Sequence, residues 1–177
     1  MKKAQDGLPS HLFEYVSSIT PIINVDLLVH NPSKGIILSW RSDKFYGPGW
    51  HVPGGIIRFK ENFLDRLRYV ARNEINSSED LKFNFISINQ IMNPNRDIRG
   101  HFISLLFSAE TYQSSIENKL AKEGDNGFLK WHKYSPKNLI KQHKRYESHM
   151  KQIFSNTCNK KIDIGNIMDC YSPAYEK

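Results

Sequence analysis

Between residues 22 and 29 apolar and polar side chains alternate. Ile23, Val25, Leu27 and Val29 face one way and Asn24 and Asp26 the other, the pattern of a strand with one polar face. Asn31-Pro32-Ser33-Lys34-Gly35 reads as a turn, and residues 35–41 as a second strand pairing back in a hairpin. Gly47-Pro48-Gly49 breaks the chain before a short extended piece, Trp50 to Pro53, that ends in Gly54-Gly55. Residues 61–75 change to a helical period. Phe63, Leu64, Leu67, Val70, Ala71 and Ile75 share one arc, and Asn76-Ser77-Ser78 ends the helix. Residues 81–91 and 101–111 then read as strands around a polar loop, with a further strand over 128–134. Ser135-Pro136 is a helix-start signal for a last helix striped by Leu139, Ile140, His143, Tyr146, Met150, Ile153 and Phe154. Residues 10–19 suggest a short helix or turn, and the tail from about 156 has no clear period.

Helices interspersed among strands predict an α+β fold, a mixed central sheet sandwiched between helices. The 177 residues, 39% of them hydrophobic, suit one domain over 1–177 with its core at about 21–155. No apolar run approaches the roughly 18 residues of a membrane span. The start, MKKAQDGLPSHLFEY, lacks the apolar stretch of a signal peptide, so the cytoplasm is the expected location. Cys158 and Cys170 form no zinc pattern and read as two thiols, with one disulfide left open.

The formal charge is +7, from 25 Lys+Arg against 18 Asp+Glu, which suits an anionic partner. Much of the excess sits on the last helix and tail with no interleaved aromatic platform, which argues against specific nucleic-acid binding.

Glu74 stands out in the first long helix because it projects at the centre of the apolar arc. A carboxylate there is costly unless it is paired, bound to a metal, or near enough to the helix end to reach solvent. Just upstream, Pro53-Gly54-Gly55 feeds the helix, and Glu61 follows Gly55 after a short spacing. A diglycine lets backbone groups approach a ligand or ion without side chains in the way. His51 is placed to face ligand phosphates as a donor, and His101, opening a strand, to point into the same cleft; each could equally be structural. His143 reads as packing. Trp40, Tyr46 and Trp50 are candidates for stacking on a base or sugar, or for core packing.

From about residue 21 to 142 the chain resembles a Nudix hydrolase domain, whose box is G-x5-E-x7-R-E-U-x-E-E-x-G-U, with U aliphatic. Gly55 and Glu61 match the first two fixed positions. The family arginine falls on Tyr69, the first helix glutamate on Val70, the penultimate one on Asn73, the last on Glu74 and the final glycine on Asn76. One of three clustered glutamates remains, enough for about one ion. A similar thinning marks the GDP-mannose mannosyl hydrolase branch, which this chain also resembles at Pro21 to Asp26, at Arg41 and at Trp50 to Gly55.

That resemblance implies one Mg²⁺, or Mn²⁺, ligated by the Gly54 carbonyl and Glu74, with Glu61 as a secondary carboxylate. It implies Asp26 and Arg41 at the substrate, Arg41 on the phosphates, and Arg58 in place of the arginine the branch carries after its diglycine. The branch's catalytic Gln-His pair falls around Gly124-Asp125-Asn126, so Asp125 becomes a candidate base or second metal ligand, or simply a turn residue. With His101 added from its place at the head of a strand, the candidate catalytic set is Glu74, Arg41, Asp125 and His101. The implied activity is metal-dependent hydrolysis of a nucleoside diphosphate-linked sugar or related nucleotide, at phosphorus or at the sugar C–O bond. The alternative is a protein of the same fold that binds such a nucleotide without cleaving it. The resembled branch is dimeric, which points to a homodimer.

Overall fold

The computed structural model describes residues 7–43, 46–113, 115, 117–118 and 121–155. Lys44, a further candidate beside Arg41 and Arg58 for neutralising phosphate charge, Cys158 and Cys170, and much of the basic tail lie outside the described residues. Helix α1 (Ser10–Ile19) leads into strands β1 (Ile22–Asn31), β2 (Gly35–Arg41), β3 (Gly49–His51) and β4 (Gly54–Ile56). Helix α2 (Phe63–Asn73), strands β5 (Phe83–Met92), β6 (His101–Glu110) and β7 (Leu129–His132), a 3₁₀ segment (Lys141–Tyr146) and helix α3 (Glu147–Phe154) follow.

The sheet runs β3-β2-β1-β6-β5, with β4 added to β1 and β7 to β2. It is mixed: β1 lies parallel to β6, and the other pairings are antiparallel. The alternation in β1 sorts its side chains between two layers. Val25, Leu27 and Val29 join Ile37, Phe107 and Ala109 under Leu67, Val70 and Ala71 of α2. Leu28 joins Ile36, Leu38 and Leu106 under Tyr146 and Met150 on the opposite face. Asn24 and Asp26 share the face of Leu28, so the polar stretch of β1 opens beside the second layer.

Asn62 caps α2, its side-chain oxygen accepting from the Asp65 backbone N–H at 2.9 Å. The helix ends at Asn73 with Glu74 as its C-cap. Asn76 takes a left-handed φ of 56°. Asparagine is the residue that best tolerates this conformation after glycine, so it can stand where the resembled box carries its last glycine.

The last helix begins later than Ser135-Pro136 suggests. Trp50 donates its backbone N–H to Asn138 at 2.9 Å and accepts from Ile140 at 2.9 Å, so 138–140 run extended beside β3. Helical structure starts only beyond that contact, as the 3₁₀ segment. No helix among the described residues is long and apolar enough to cross a membrane.

Candidate functional site

A cleft of about 300 Å³ opens above the polar face of β1. Its floor is Asn24 and Asp26, one wall the C-terminal half of α2, and the opposite wall His51, Val52 and the 3₁₀ segment. Of the residues singled out by sequence, Asp26, Arg41, His51, Gly54, Arg58 and Glu74 all line it.

Asp26 is 3% exposed. Asn24 Nδ2 donates to its Oδ1 at 3.0 Å, while Tyr146 Oη, at 2.6 Å, and Ser104 Oγ both donate to its Oδ2. Burial nevertheless raises its pKa above the usual 3.8, because those hydrogen bonds and the Arg41 charge only partly offset the loss of water. The strand register places Asp26 opposite Gly54 in a non-hydrogen-bonded pair, with Leu27 N–H reaching Pro53 O at 2.9 Å. Two consequences follow. The Gly54 carbonyl is not used by the ladder, and a Cβ on Gly54 would run into Asp26 Oδ1 and lie 2.6 Å from the Val25 carbonyl.

Arg41 stands at the electrostatic centre. Its Nε is held by Asp43 Oδ2 at 2.9 Å, and its charge acts on Asp26, Glu74, His51 and His143 alike. Arg58, Arg66 and Arg99 also line the cleft, so four guanidinium groups face two carboxylates there. Arg66 is committed: Glu61 Oε2 accepts from its Nε at 2.9 Å and lies 2.8 Å from its Nη2.

Glu74 is exposed as a residue, because it caps α2 rather than sitting within its buried arc. Its carboxyl lines the cleft, and desolvation there raises its pKa above 4.5, with Arg41 opposing the shift. The helical projection puts it at the centre of the arc, and the helix end lets it out.

His51 and His143 are both 8% exposed and both line the cleft, with ring centres 6.1 Å apart. His51 Nδ1 lies 2.8 Å from the Ser39 carbonyl, which can only accept, so Nδ1 carries the proton. Val52 N–H donates to His143 Nδ1 at 2.9 Å, so that nitrogen is the bare one. Burial first, then Arg41, holds His51 well below 6.5 and brings His143 to about 3, leaving both rings neutral.

Several expected residues stand elsewhere. Glu61 is not at the cleft: its carboxylate accepts from Arg58 N–H at 2.7 Å and holds Arg66, tying down the turn before α2. His101 pairs across strands with Met92, and its Nε2 meets Gln90 Nε2 at 3.0 Å, away from the cleft. Asp125 closes an exposed turn, accepting from Lys122 N–H at 2.8 Å. His51 has its donor committed to Ser39, so the nitrogen left for a ligand accepts rather than donating to phosphate. Trp40 and Trp50 meet edge-on at 5.1 Å beside the second core layer, and neither is among the residues that line the cleft. Tyr46 lines the cleft but is flanked by Arg41, Arg96 and Arg99 at 5.6, 4.5 and 6.0 Å from its ring centre.

The structure also brings in Asn24, Arg66, Arg99, Gln142 and His143. Asn24 was legible as a polar position beside Asp26. His143 was visible only as part of an apolar stripe, and nothing in the sequence marks Arg99 or Gln142.

For a divalent cation, the donors at the cleft are the Glu74 carboxylate, the Gly54 carbonyl and Asn24 Oδ1, which is buried without a hydrogen-bond partner. All are hard oxygens of the kind magnesium takes. No group of three or more His, Cys, Asp or Glu side chains among the described residues is placed to hold a metal ion. By donor type the residues present suit one hard cation and not a resident cluster.

No family model matches this sequence, and no curated protein matches it either. Solved structures do. The MutT protein from Methanosarcina mazei Go1 is similar at a TM-score of 0.58 and 15% identity, over 80% of this chain and 99% of that one. The MutT NUDIX hydrolase from Burkholderia pseudomallei gives 0.56 and 12%, over 76% and 98%. The NUDIX domain of Shewanella oneidensis NrtR, complexed with ADP ribose, gives 0.51 and 16%, over 74% and 82%. With the mixed sheet clasped between α2 and the 3₁₀–α3 layer, these likenesses identify the architecture of the chain as the Nudix fold.

Proposed function

We propose that this chain hydrolyses a nucleoside diphosphate-linked sugar or related nucleotide derivative in the cleft above β1. The observation that carries the reading is a cleft lined by arginines and by Glu74, which Gly54, its carbonyl left free by the strand ladder, also lines. Arg41, pre-oriented by Asp43, binds and neutralises the diphosphate, with Arg58 beside it. Glu74, Gly54 and Asn24 would hold Mg²⁺ or Mn²⁺ together with the phosphates. When bound, such an ion supplies charge neutralisation and a more acidic water. Asp26 takes no proton from water in this scheme. Buried and held by three donors, it ties β1 to Ser104 of β6 and to Tyr146. Water attacks phosphorus or the sugar carbon. A cytoplasmic homodimer belongs to the same proposal.

A second reading, binding without turnover, is favoured by one specific observation: Glu61, the other box carboxylate, is engaged by Arg58 and Arg66 and does not reach the cleft. One experiment separates the two. Wild type and Glu74→Gln are incubated with UDP-, GDP- and ADP-sugars and Mg²⁺ or Mn²⁺, and the products are resolved. Turnover by wild type that Glu74→Gln abolishes, at an unchanged thermal midpoint, supports hydrolysis. Calorimetric binding with no product from any substrate establishes the binding protein instead.

A further inference from the structure

The two buried histidines at the cleft present opposite polarities. His51 uses Nδ1–H on the Ser39 carbonyl, and in the neutral ring that its burial favours this leaves Nε2 as a bare acceptor. His143 receives the Val52 N–H on Nδ1, which leaves its proton on Nε2 as a donor. Both assignments come from backbone groups whose roles are fixed, since a carbonyl only accepts and an amide N–H only donates. Neither Nε2 is a buried atom lacking a partner, and both residues line the cleft. The rings are 6.1 Å apart, within reach of one planar group.

We propose that His51 and His143 together read the edge of a nucleobase, His51 Nε2 accepting from a base N–H and His143 Nε2–H donating to the adjacent ring nitrogen or carbonyl oxygen. The proposal rests on the reading of the cleft as a nucleoside diphosphate site and adds the part of the ligand that phosphate binding leaves unspecified. A diphosphate does not suit the pair, because phosphate oxygens only accept at neutral pH and would face the bare nitrogen of His51. A sugar hydroxyl rotates to donate or accept, so it needs no preset pair. A base edge carries its donor and acceptor side by side in fixed positions, which is what two rings of locked, opposite tautomers match. The apolar lining supports the same occupant. Ile140 adjoins the 3₁₀ segment, and Ile91 and Phe102 pair across β5 and β6, so flat surface is at hand for a base face.

The test uses His51→Asn and His143→Asn. Asparagine can place an amide donor or acceptor where Nδ1 stands, so each variant can keep its backbone hydrogen bond while losing Nε2 together with Cε1. Calorimetry then compares nucleoside diphosphates of all four bases, a sugar phosphate and pyrophosphate on wild type and both variants. Wild type should prefer at least one nucleoside diphosphate over pyrophosphate. Each variant should lose roughly tenfold in affinity for that ligand while pyrophosphate and sugar phosphate bind as before. Equal losses for pyrophosphate, or a matching loss for the sugar phosphate, would overturn base reading and leave the phosphate site standing. If wild type binds neither pyrophosphate nor any nucleoside diphosphate, the functional reading itself falls, and this proposal with it. Should the variants fail to fold, long-range ¹H–¹⁵N spectra of wild type decide. His51 must be protonated at Nδ1 and His143 at Nε2, and the preferred nucleoside diphosphate must shift both Nε2 resonances while pyrophosphate does not. Reversed tautomers, or no shift, reject the pair.

Discussion

The phenol of Tyr146 donates to the carboxylate of Asp26 at 2.6 Å, joining the 3₁₀ segment to the middle strand of the sheet across 120 positions of chain. Ser104 completes a triangle with both, its oxygen 2.9 Å from the phenol. Tyr146→Phe removes one of the three donors that make a buried Asp26 tolerable. It should cost about 1–3 kcal/mol of stability by urea unfolding. A change near zero would show that water replaces the phenol.

Asp26 also sets a pH dependence. Burial raises its folded pKa, so the fold binds its proton more tightly than the unfolded chain does. The resulting stability is fully present below the ordinary carboxylate range and is lost as pH rises through the folded pKa. Asp26→Asn removes that loss. The stability difference between variant and wild type should therefore move in the variant's favour from about pH 4 toward neutrality. A difference that stays flat, or moves the other way, contradicts a raised Asp26.

Glu61→Gln should act on stability before anything else. Arg66 is 6% exposed, and its Nε and Nη2 both meet Glu61. Taking away one charge leaves the other buried and unpaired, at a cost of about 3–5 kcal/mol. The metal concentration needed for half-maximal turnover should not move. A shifted metal requirement with an unchanged thermal midpoint would return Glu61 to the ion.

Arg41→Gln should weaken pyrophosphate and nucleoside diphosphate alike, by about 10- to 100-fold at low salt, the scale of one charge-assisted contact. It should also raise the carboxyl pKa of Glu74 and Asp26 further and let the His51 and His143 values climb, since Arg41 holds all four down. Carbon-detected NMR titration of those side chains reads the second effect independently of any ligand.

His101→Ala and Asp125→Asn should leave turnover within about twofold. Both lie away from the cleft, and the Asp125 contact to Lys122 N–H is an exposed turn bond worth about 1 kcal/mol or less. A hundredfold loss in either would place that residue in the reaction despite its position.

The architecture and roughly half of the cleft could be read from the sequence, for reasons visible in individual residues. Periodicity identifies α2 by its one buried face and β1 by the unbroken apolar face of Val25, Leu27 and Val29, while Asn24 and Asp26 make the opposite face of β1 polar where the floor lies. Glu61 and Glu74 could be placed by spacing, but spacing does not say which partner each finds. Arg66, one turn into α2, takes Glu61, and the helix ends in time to release Glu74. The His51–His143 relationship is out of reach of periodicity altogether. It depends on Ser39 and Val52 backbone groups, which no side-chain pattern encodes. Asp125 was inferred from its match to a resembled branch and His101 from its place at the start of a strand; the fold sets Asp125 in an exposed turn and pairs His101 with Gln90 away from the cleft.

The docking of residues 138–146 against β3 also has a consequence for local opening. The floor of the cleft and α2 come from residues made early, while the wall carrying His143 and Tyr146 is made late and reaches back 91 positions to Val52 and 120 to Asp26. Closing contacts at such separations carries a loop-entropy cost, which the β1–β6 and β2–β7 pairings of the sheet share. What sets the late wall apart is that side chains hold it: a local opening of the 3₁₀ segment would take away the His143 ring and one donor to Asp26 together, and leave the pairings of the sheet in place.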